Sequence, residues 1–205
     1  MKKIIIALLF YCSFLYSPSH AFSGELTVTT GKKVEKFKKI YFAGGCFWCM
    51  EESFDKVNGV IKSISGYSGG HTKDPTYKEV IYKDTGHVET VEITYNPKIT
   101  SYDKLLNVYW KNIDPFDEFG QFCDKGKSYR SVIFYQNFSQ KNNVERSLKK
   151  LEKKFNSKVA TLIWKFKKFY PAESYHQDYY QKNFLKYLAY KKNCQREEVL
   201  NKIWN

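Results

Sequence analysis

Ile40-Tyr41-Phe42-Ala43 runs straight into Gly44-Gly45, and Cys46 follows at once. Four apolar residues ending on two glycines predict a strand that stops at a sharp turn, because glycine adopts backbone conformations closed to other residues. Beyond the turn, Phe47, Met50, Glu51, Phe54 and Val57 recur at helical spacing. Cys46 is therefore expected at a helix N-terminus, where unpaired N–H groups and the helix dipole favour a thiolate over a thiol. The missing Cβ atoms of Gly44 and Gly45 are expected to leave open space beside it. Phe47 and Trp48 predict a small apolar pocket there, suited to an alkyl or thioether group rather than a phosphate or sugar.

Further elements follow in order. Asn58-Gly59 stops the first helix, and Val60 to Tyr67 reads as a strand ended by Gly69-Gly70. Pro75-Thr76-Tyr77 marks a loop or short helix. Val88 to Tyr95 alternates cleanly, with Val91, Ile93 and Tyr95 on one face. Thr100 to Asp103 fits a capping box before a helix carrying Leu105, Leu106, Tyr109, Trp110 and Ile113. A loop spans 114–128. Tyr129 to Tyr135 is a strand, Ser139 caps a long helix, and Ala160 to Phe166 is the last strand expected. From Phe169 onward the chain reads as an aromatic tail. The sum is an α+β domain: a two-layer mixed sheet with helices on one side, a ferredoxin-like core, and an extended C-terminal tail.

The chain has 205 residues, 42% of them apolar, enough for one domain with a real core. Residues 1–21 read as a cleaved secretory signal: Lys2-Lys3, an apolar stretch from Ile4 to Tyr16, then small Ser19 and Ala21 at the cleavage site. The apolar run is short for a membrane span, and bulky Phe10 and Tyr11 before Cys12 argue against a lipid anchor. Residues 22–38 form a polar linker and 39–205 the domain. The expected location is exported, periplasmic or secreted. The formal charge of +13 comes from lysines scattered among apolar residues, which reads as a solvated surface rather than a nucleic-acid face. Export places Cys46, Cys49, Cys123 and Cys194 in an oxidising compartment, and four cysteines allow three pairings.

Glu89 shares a strand face with Val91 and Ile93 and so points inward. Burial near a thiolate raises a carboxyl's pKa, which makes Glu89 a proton donor near neutral pH. Tyr77 and Tyr129 offer phenols, and Asp124 is a loop carboxylate behind Cys123. His176 lies among aromatics that argue for packing. No metal site is expected, since Cys46/Cys49 has no second CxxC partner. No phosphate loop or dinucleotide fingerprint is present.

Taken in order, Gly45-Cys46-Phe47-Trp48 with Glu51, Gly66-Tyr67-Ser68-Gly69-Gly70, Pro75-Thr76-Tyr77, Gly86-His87-Val88-Glu89 and Tyr129-Arg130-Ser131 resemble the peptide methionine sulfoxide reductase A family. Tyr175-His176-Gln177-Asp178 and the Cys194 to Trp204 tail are similar too, so the resemblance covers about residues 39–204. It implies thiol-dependent reduction of the S epimer of methionine sulfoxide, free or in oxidised proteins. By motif, Cys46 is the nucleophile, Phe47 and Trp48 hold the methyl group, and Glu89 protonates the oxygen. Tyr77 and Tyr129 hydrogen-bond that oxygen, and Asp124 lines the substrate pocket. Cys46 then becomes a sulfenic acid that a second thiol resolves.

The sequence departs from the family pattern at Cys49, where glycine is usual, and at Gln121-Phe122-Cys123-Asp124, where Gln-Gly-Asn-Asp is usual. Cys49, one helical turn from Cys46, ranks first as the resolving thiol. Cys194 ranks second, and Cys123 is structural. The enzyme is expected to be a monomer that uses no cofactor beyond an external thioredoxin-like thiol reductant. No nucleic-acid partner and no stable membrane anchor are expected. A thioredoxin-like oxidoreductase would also use Cys46/Cys49 but leaves Phe47-Trp48 and Glu89 unexplained.

Overall fold

The computed structural model describes residues 36–205. The expected signal over 1–21 and most of the linker over 22–38 lie outside the described residues.

The sheet is built from β1 (Lys38–Ala43), β2 (Val60–Ser68), β3 (Val88–Tyr95), β6 (Val132–Tyr135), β7 (Leu162–Lys165) and β8 (Phe169–Pro171), in the order β7-β6-β1-β3-β2-β8. Between the strands lie α1 (Phe47–Asp55), α2 (Tyr77–Tyr82), α3 (Tyr102–Lys111) and α4 (Phe138–Phe155). A small hairpin, β4 (Gly120–Gln121) with β5 (Asp124–Lys125), stands apart from the main sheet. The units β1–α1–β2 and β3–α3–β6 interleave their strands as β6-β1-β3-β2, the split βαβ arrangement of a ferredoxin-like core. These pairings are antiparallel. Only β7, reached through α4, runs parallel to its neighbour β6.

Period-two alternation decides the layers. Ile40 and Phe42 of β1 face α1, α3 and α4, where they meet Met50, Phe54, Leu105, Tyr109 and Val144. Tyr41 and Ala43 face the other way, onto Val88, Val132, Phe134 and the chain around Phe166 and Phe169. Tyr41 stacks on Phe166 at 3.8 Å between ring centroids, and its hydroxyl donates to Glu92 at 2.8 Å. Burying each large side chain on the helix face contributes about 1.5–3 kcal/mol, so this layer dominates the fold's stability.

Three expectations need correction. Helix α3 is capped by Ser101, whose Oγ accepts the Lys104 N–H at 3.2 Å. The third helical residue is then Lys104, which cannot complete a capping box. Helix α4 is capped by Asn137 rather than Ser139; the Asn137 Oδ1 accepts the Gln140 N–H at 3.0 Å. The tail is also structured. Phe169–Pro171 adds the edge strand β8 to β2, and α5 (Tyr179–Lys182), α6 (Phe184–Asn193) and α7 (Arg196–Trp204) follow. Pro171 is tolerated because an edge strand leaves one row of N–H groups unpaired. The Gln177 amide donates to the Ser65 and Ala172 carbonyls, both at 2.9 Å, and sews the tail to β2. Among the described residues, no helix is long and apolar enough to cross a membrane.

Glu51 of α1 is fully buried; its Oε2 accepts the Ser65 hydroxyl at 3.2 Å and its Oε1 has no partner. Burial raises its pKa to about 7. A carboxyl raised in the fold contributes stability at low pH that is lost as pH rises through the folded value. Glu51→Gln removes that loss. Relative to wild type, the variant is expected to gain about 2–3 kcal/mol between pH 5 and pH 8.5. Urea unfolding at the two pH values reads this directly, and an unchanged difference refutes it.

Candidate active site

Gly45 turns the chain from β1 into α1 with φ of +75°, and Cys46 caps the helix without a side-chain hydrogen bond. The space beside the glycines is filled, contrary to expectation. A Cβ on Gly45 would stand 2.5 Å from Gln121 Cβ, and one on Gly44 would stand 2.7 Å from Met50 Sδ. The glycines thus let the β4–β5 hairpin close onto the turn. Gln121 fixes that hairpin by accepting the Asp114 N–H and donating to the Asp114 carbonyl, both at 2.8 Å.

Strand register brings in the carboxyl. Phe42 pairs with Val91 in antiparallel register, so Glu89, two residues earlier on β3, lies level with the glycine turn. Its Oε2 accepts the Phe47 N–H at 2.9 Å. Cys46, Phe47, Trp48, Tyr77, Glu89, Asp124, Tyr129 and Tyr190 line one cavity of about 80 Å³. A cavity this small, walled by aromatic rings, has room for a methyl sulfoxide group. A larger groove of about 860 Å³ between the hairpin and β7 holds Phe119, Arg130 and Lys158 but no thiol, so the chemistry selects the smaller cavity.

Burial holds the Glu89 carboxyl well above the usual carboxylate range; the Phe47 N–H opposes this, and the neighbouring Asp124 adds to it. Glu89 is therefore a neutral acid. Burial, reinforced by Glu89, pushes Tyr77 to about 12 and Tyr129 higher still, and the two phenols hydrogen-bond each other. Both remain donors at every relevant pH. Burial also raises Asp124, whose Oδ2 accepts the Tyr190 hydroxyl.

Cys46 departs from the sequence expectation. Burial, followed by the hydrogen bond to Cys49 and the charge that Cys49 carries when ionised, pushes its thiol well up. The helix N-terminus does not prevail against this burial. Cys49 lies beside it, 2% exposed. The Cys46 hydrogen bond, Arg196 and Lys191 together outweigh burial and bring Cys49 down to about 7. Both are free thiols. Cys123 and Cys194 are joined to each other by a disulfide, with Cα atoms 4.9 Å apart. Cys194, ranked second as a resolving thiol, is thus engaged away from Cys46 in this state.

The sequence reading gave His176 a packing role but not its partner, and it missed Tyr190. The Trp48 indole donates to His176 Nδ1 at 3.2 Å and stacks on Tyr179 at 3.8 Å. That acceptor role places the His176 proton on Nε2, and burial lowers the ring's pKa, so it stays neutral. Tyr190 lines the cavity from the tail. The one available clue was its position a helical turn before Cys194. Among the described residues, the ligand atoms of Cys123, Asp124 and Cys194 gather within 4.8 Å. The disulfide occupies both sulfurs and leaves a single carboxylate, a poor set for a metal.

The sequence model of a family described as peptide methionine sulfoxide reductase matches residues 38–205. A peptide methionine sulfoxide reductase MsrA of Bacillus licheniformis is 49% identical over 172 residues, spanning 83% of this chain and 95% of that relative. Among solved structures, Mxr1 from Saccharomyces cerevisiae in reduced form matches with a TM-score of 0.69 at 33% identity, covering 74% of this chain and 88% of that one. Methionine sulfoxide reductase A of Corynebacterium diphtheriae matches with a TM-score of 0.65 at 31% identity, covering 72% and 75%. With a buried thiol and a neutral acid meeting in a methyl-sulfoxide-sized cavity, the chain belongs to the peptide methionine sulfoxide reductase A family and is an oxidoreductase that reduces methionine sulfoxide.

Proposed function

We propose that the enzyme reduces the S epimer of methionine sulfoxide, protein-bound or free, through a Cys46 sulfenic acid that Cys49 resolves. The observation that carries this reading is the convergence of Cys46, Glu89, Tyr77, Tyr129, Phe47 and Trp48 on one cavity. Sulfoxide oxygen leaves sulfur only when protonated. Glu89 gives its proton to that oxygen while Tyr77 and Tyr129 donate hydrogen bonds to it. Cys46 attacks the sulfur, and its thiol proton replaces the one Glu89 lost. The hydroxyl passes to Cys46, methionine departs, and Cys46–SOH remains. Cys49 then displaces water and forms the Cys46–Cys49 disulfide. An external dithiol reduces that bond and leaves as its own disulfide.

The cavity also supports selection of one epimer. Phe47 and Trp48 take the methyl group, the acid and phenols take the oxygen, and Cys46 approaches the sulfur. With those directions set, only one hand leaves the rest of the substrate pointing outward; the family carries the identity of that hand as S. Each epimer of free methionine sulfoxide is offered with excess dithiothreitol. The S epimer is expected to be consumed, and preference for R refutes the reading. Residues 1–21 support an exported enzyme, and hence a thioredoxin-like reductant outside the cytoplasm.

The resolving role of Cys49 has its own test. Without reductant, the wild type is expected to form about one methionine per chain and end with a Cys46–Cys49 disulfide. Cys49→Ser is expected to form the same amount and retain a sulfenic acid that dimedone labels. A Cys46–Cys194 bond, found by peptide mapping with Cys49 free, defeats the assignment.

A further inference from the structure

The reduction chemistry makes no use of Cys123–Cys194, yet Cys123 adjoins Asp124, which lines the pocket, and Cys194 follows Tyr190, which also lines it, by one helical turn. Three consecutive residues of the hairpin, Phe122 and Cys123 in its turn and Asp124 at the start of β5, each meet the tail. The Phe122 ring lies under the Arg196 guanidinium at 4.3 Å, Cys123 is bonded to Cys194, and Asp124 accepts the Tyr190 hydroxyl. Asp124 and Tyr190 both line the catalytic cavity. The disulfide is the covalent link in the seam where these two walls join.

Each side is also anchored separately to the body. Gln121 ties the hairpin to Asp114. The tail is held by Tyr187 on Glu52 at 2.6 Å, Lys191 on Glu52 at 2.8 Å and Trp204 on the Ile113 carbonyl at 3.3 Å. Opening the disulfide therefore frees the seam without releasing either element. Cys123 is exposed, so a thiol in solution reaches its sulfur, whereas Cys194 is buried.

We propose that Cys123–Cys194 is a redox-set clamp on the sulfoxide pocket, a positioning pair that holds Asp124 against Tyr190 when oxidised and lets these walls part when reduced. The proposal rests on the sulfoxide reading of the cavity. A dithiol attacks the Cys123 sulfur, and Cys194 leaves and takes up a proton. The second thiol of the dithiol then displaces Cys123, which is protonated in turn. Two electrons and two protons reach the protein, and the dithiol departs as its disulfide. The reductant class that regenerates Cys46 thus also sets substrate affinity.

The test uses single-turnover methionine formation from the free S epimer without reductant. It compares wild type, Cys123→Ser/Cys194→Ser, Tyr190→Phe and the combined variant. The double serine variant is expected to need about tenfold more sulfoxide for half-saturation, the effect of losing one charge-assisted hydrogen bond, with its maximal rate within about twofold. Tyr190→Phe is expected to cost as much in the wild-type background and little in the double serine background, because the two act through one contact. A second measurement needs no substitution: wild-type half-saturation is compared before and after brief dithiol treatment that opens Cys123–Cys194, followed by removal of the reductant.

Unchanged half-saturation in both comparisons, with only a lower melting temperature, reduces the disulfide to a staple and overturns the proposal. So does loss of dithiol-driven turnover with single turnover intact, which makes the pair an electron relay. Non-reducing peptide maps showing Cys123 and Cys194 as free thiols in the resting protein also overturn it. Failure of the wild type to form methionine at all sinks the sulfoxide reading instead.

Discussion

Cys46→Ser protein is expected to form no methionine above background, a loss of at least about 10⁴-fold or about 5.5 kcal/mol of transition-state stabilisation. The reaction requires a nucleophile that can attack sulfur and then carry a hydroxyl as a stable sulfenic acid. A serine hydroxyl is far less nucleophilic at neutral pH, and accepting that hydroxyl would create a peroxide bond. The fold is expected to persist, because serine is slightly smaller and the helix-capping position suits it. Methionine release by chromatography, beside a thermal melt that moves by only a few degrees, separates lost chemistry from lost structure. Retention of even one per cent of the wild-type rate argues that another residue attacks.

Glu89→Gln is expected to slow methionine formation by about 10²–10⁴-fold, the range for removing a positioned general acid. Glutamine still offers an oxygen to the Phe47 N–H that Glu89 accepts at 2.9 Å. The geometry is therefore preserved and only the transferable proton is lost. The pH dependence carries the sharper test. Glu89 is raised by burial, and its protonated form is the active one. The wild-type rate must fall as pH rises through the Glu89 value, and that limb must vanish in the variant. Stability moves in the corresponding direction: a raised carboxyl supports the fold at low pH and withdraws that support as pH rises. Glu89→Gln protein is expected to be more stable than wild type at pH 8.5 and equal to it at pH 4. A variant that keeps a third of the wild-type rate refutes the acid role.

The sheet and its helices were legible because β1, β2, β3 and α1 each carry their own periodicity, and each buries one face. Glu89 was legible for the same reason: alternation along β3 puts it on the face of Val91. The protonation state of Cys46 was not legible. Helix position is local, whereas the burial of Cys46, and the carboxyl groups of Glu89 and Asp124 beside it, come from chain far away in sequence. The tail failed differently. Helix α6 presents Tyr187 inward and leaves Phe184, Leu185 and Leu188 exposed, so apolar residues fall on several faces and blur the stripe that marks an amphipathic helix. Tyr190 and the contact of His176 with Trp48 were hidden with it.

The Trp48–His176 hydrogen bond spans 128 residues. A ribosome delivers that length of chain in on the order of ten seconds. Once Glu89 has been added, about a third of the way through, Cys46 and Cys49 have their acid, while Trp48 still lacks the histidine and stacking tyrosine that orient it. A nascent or C-terminally clipped chain therefore carries the reactive sulfur before it carries the wall that recognises a methyl sulfoxide. Reactivity is acquired early in the life of the polypeptide, and discrimination is acquired last.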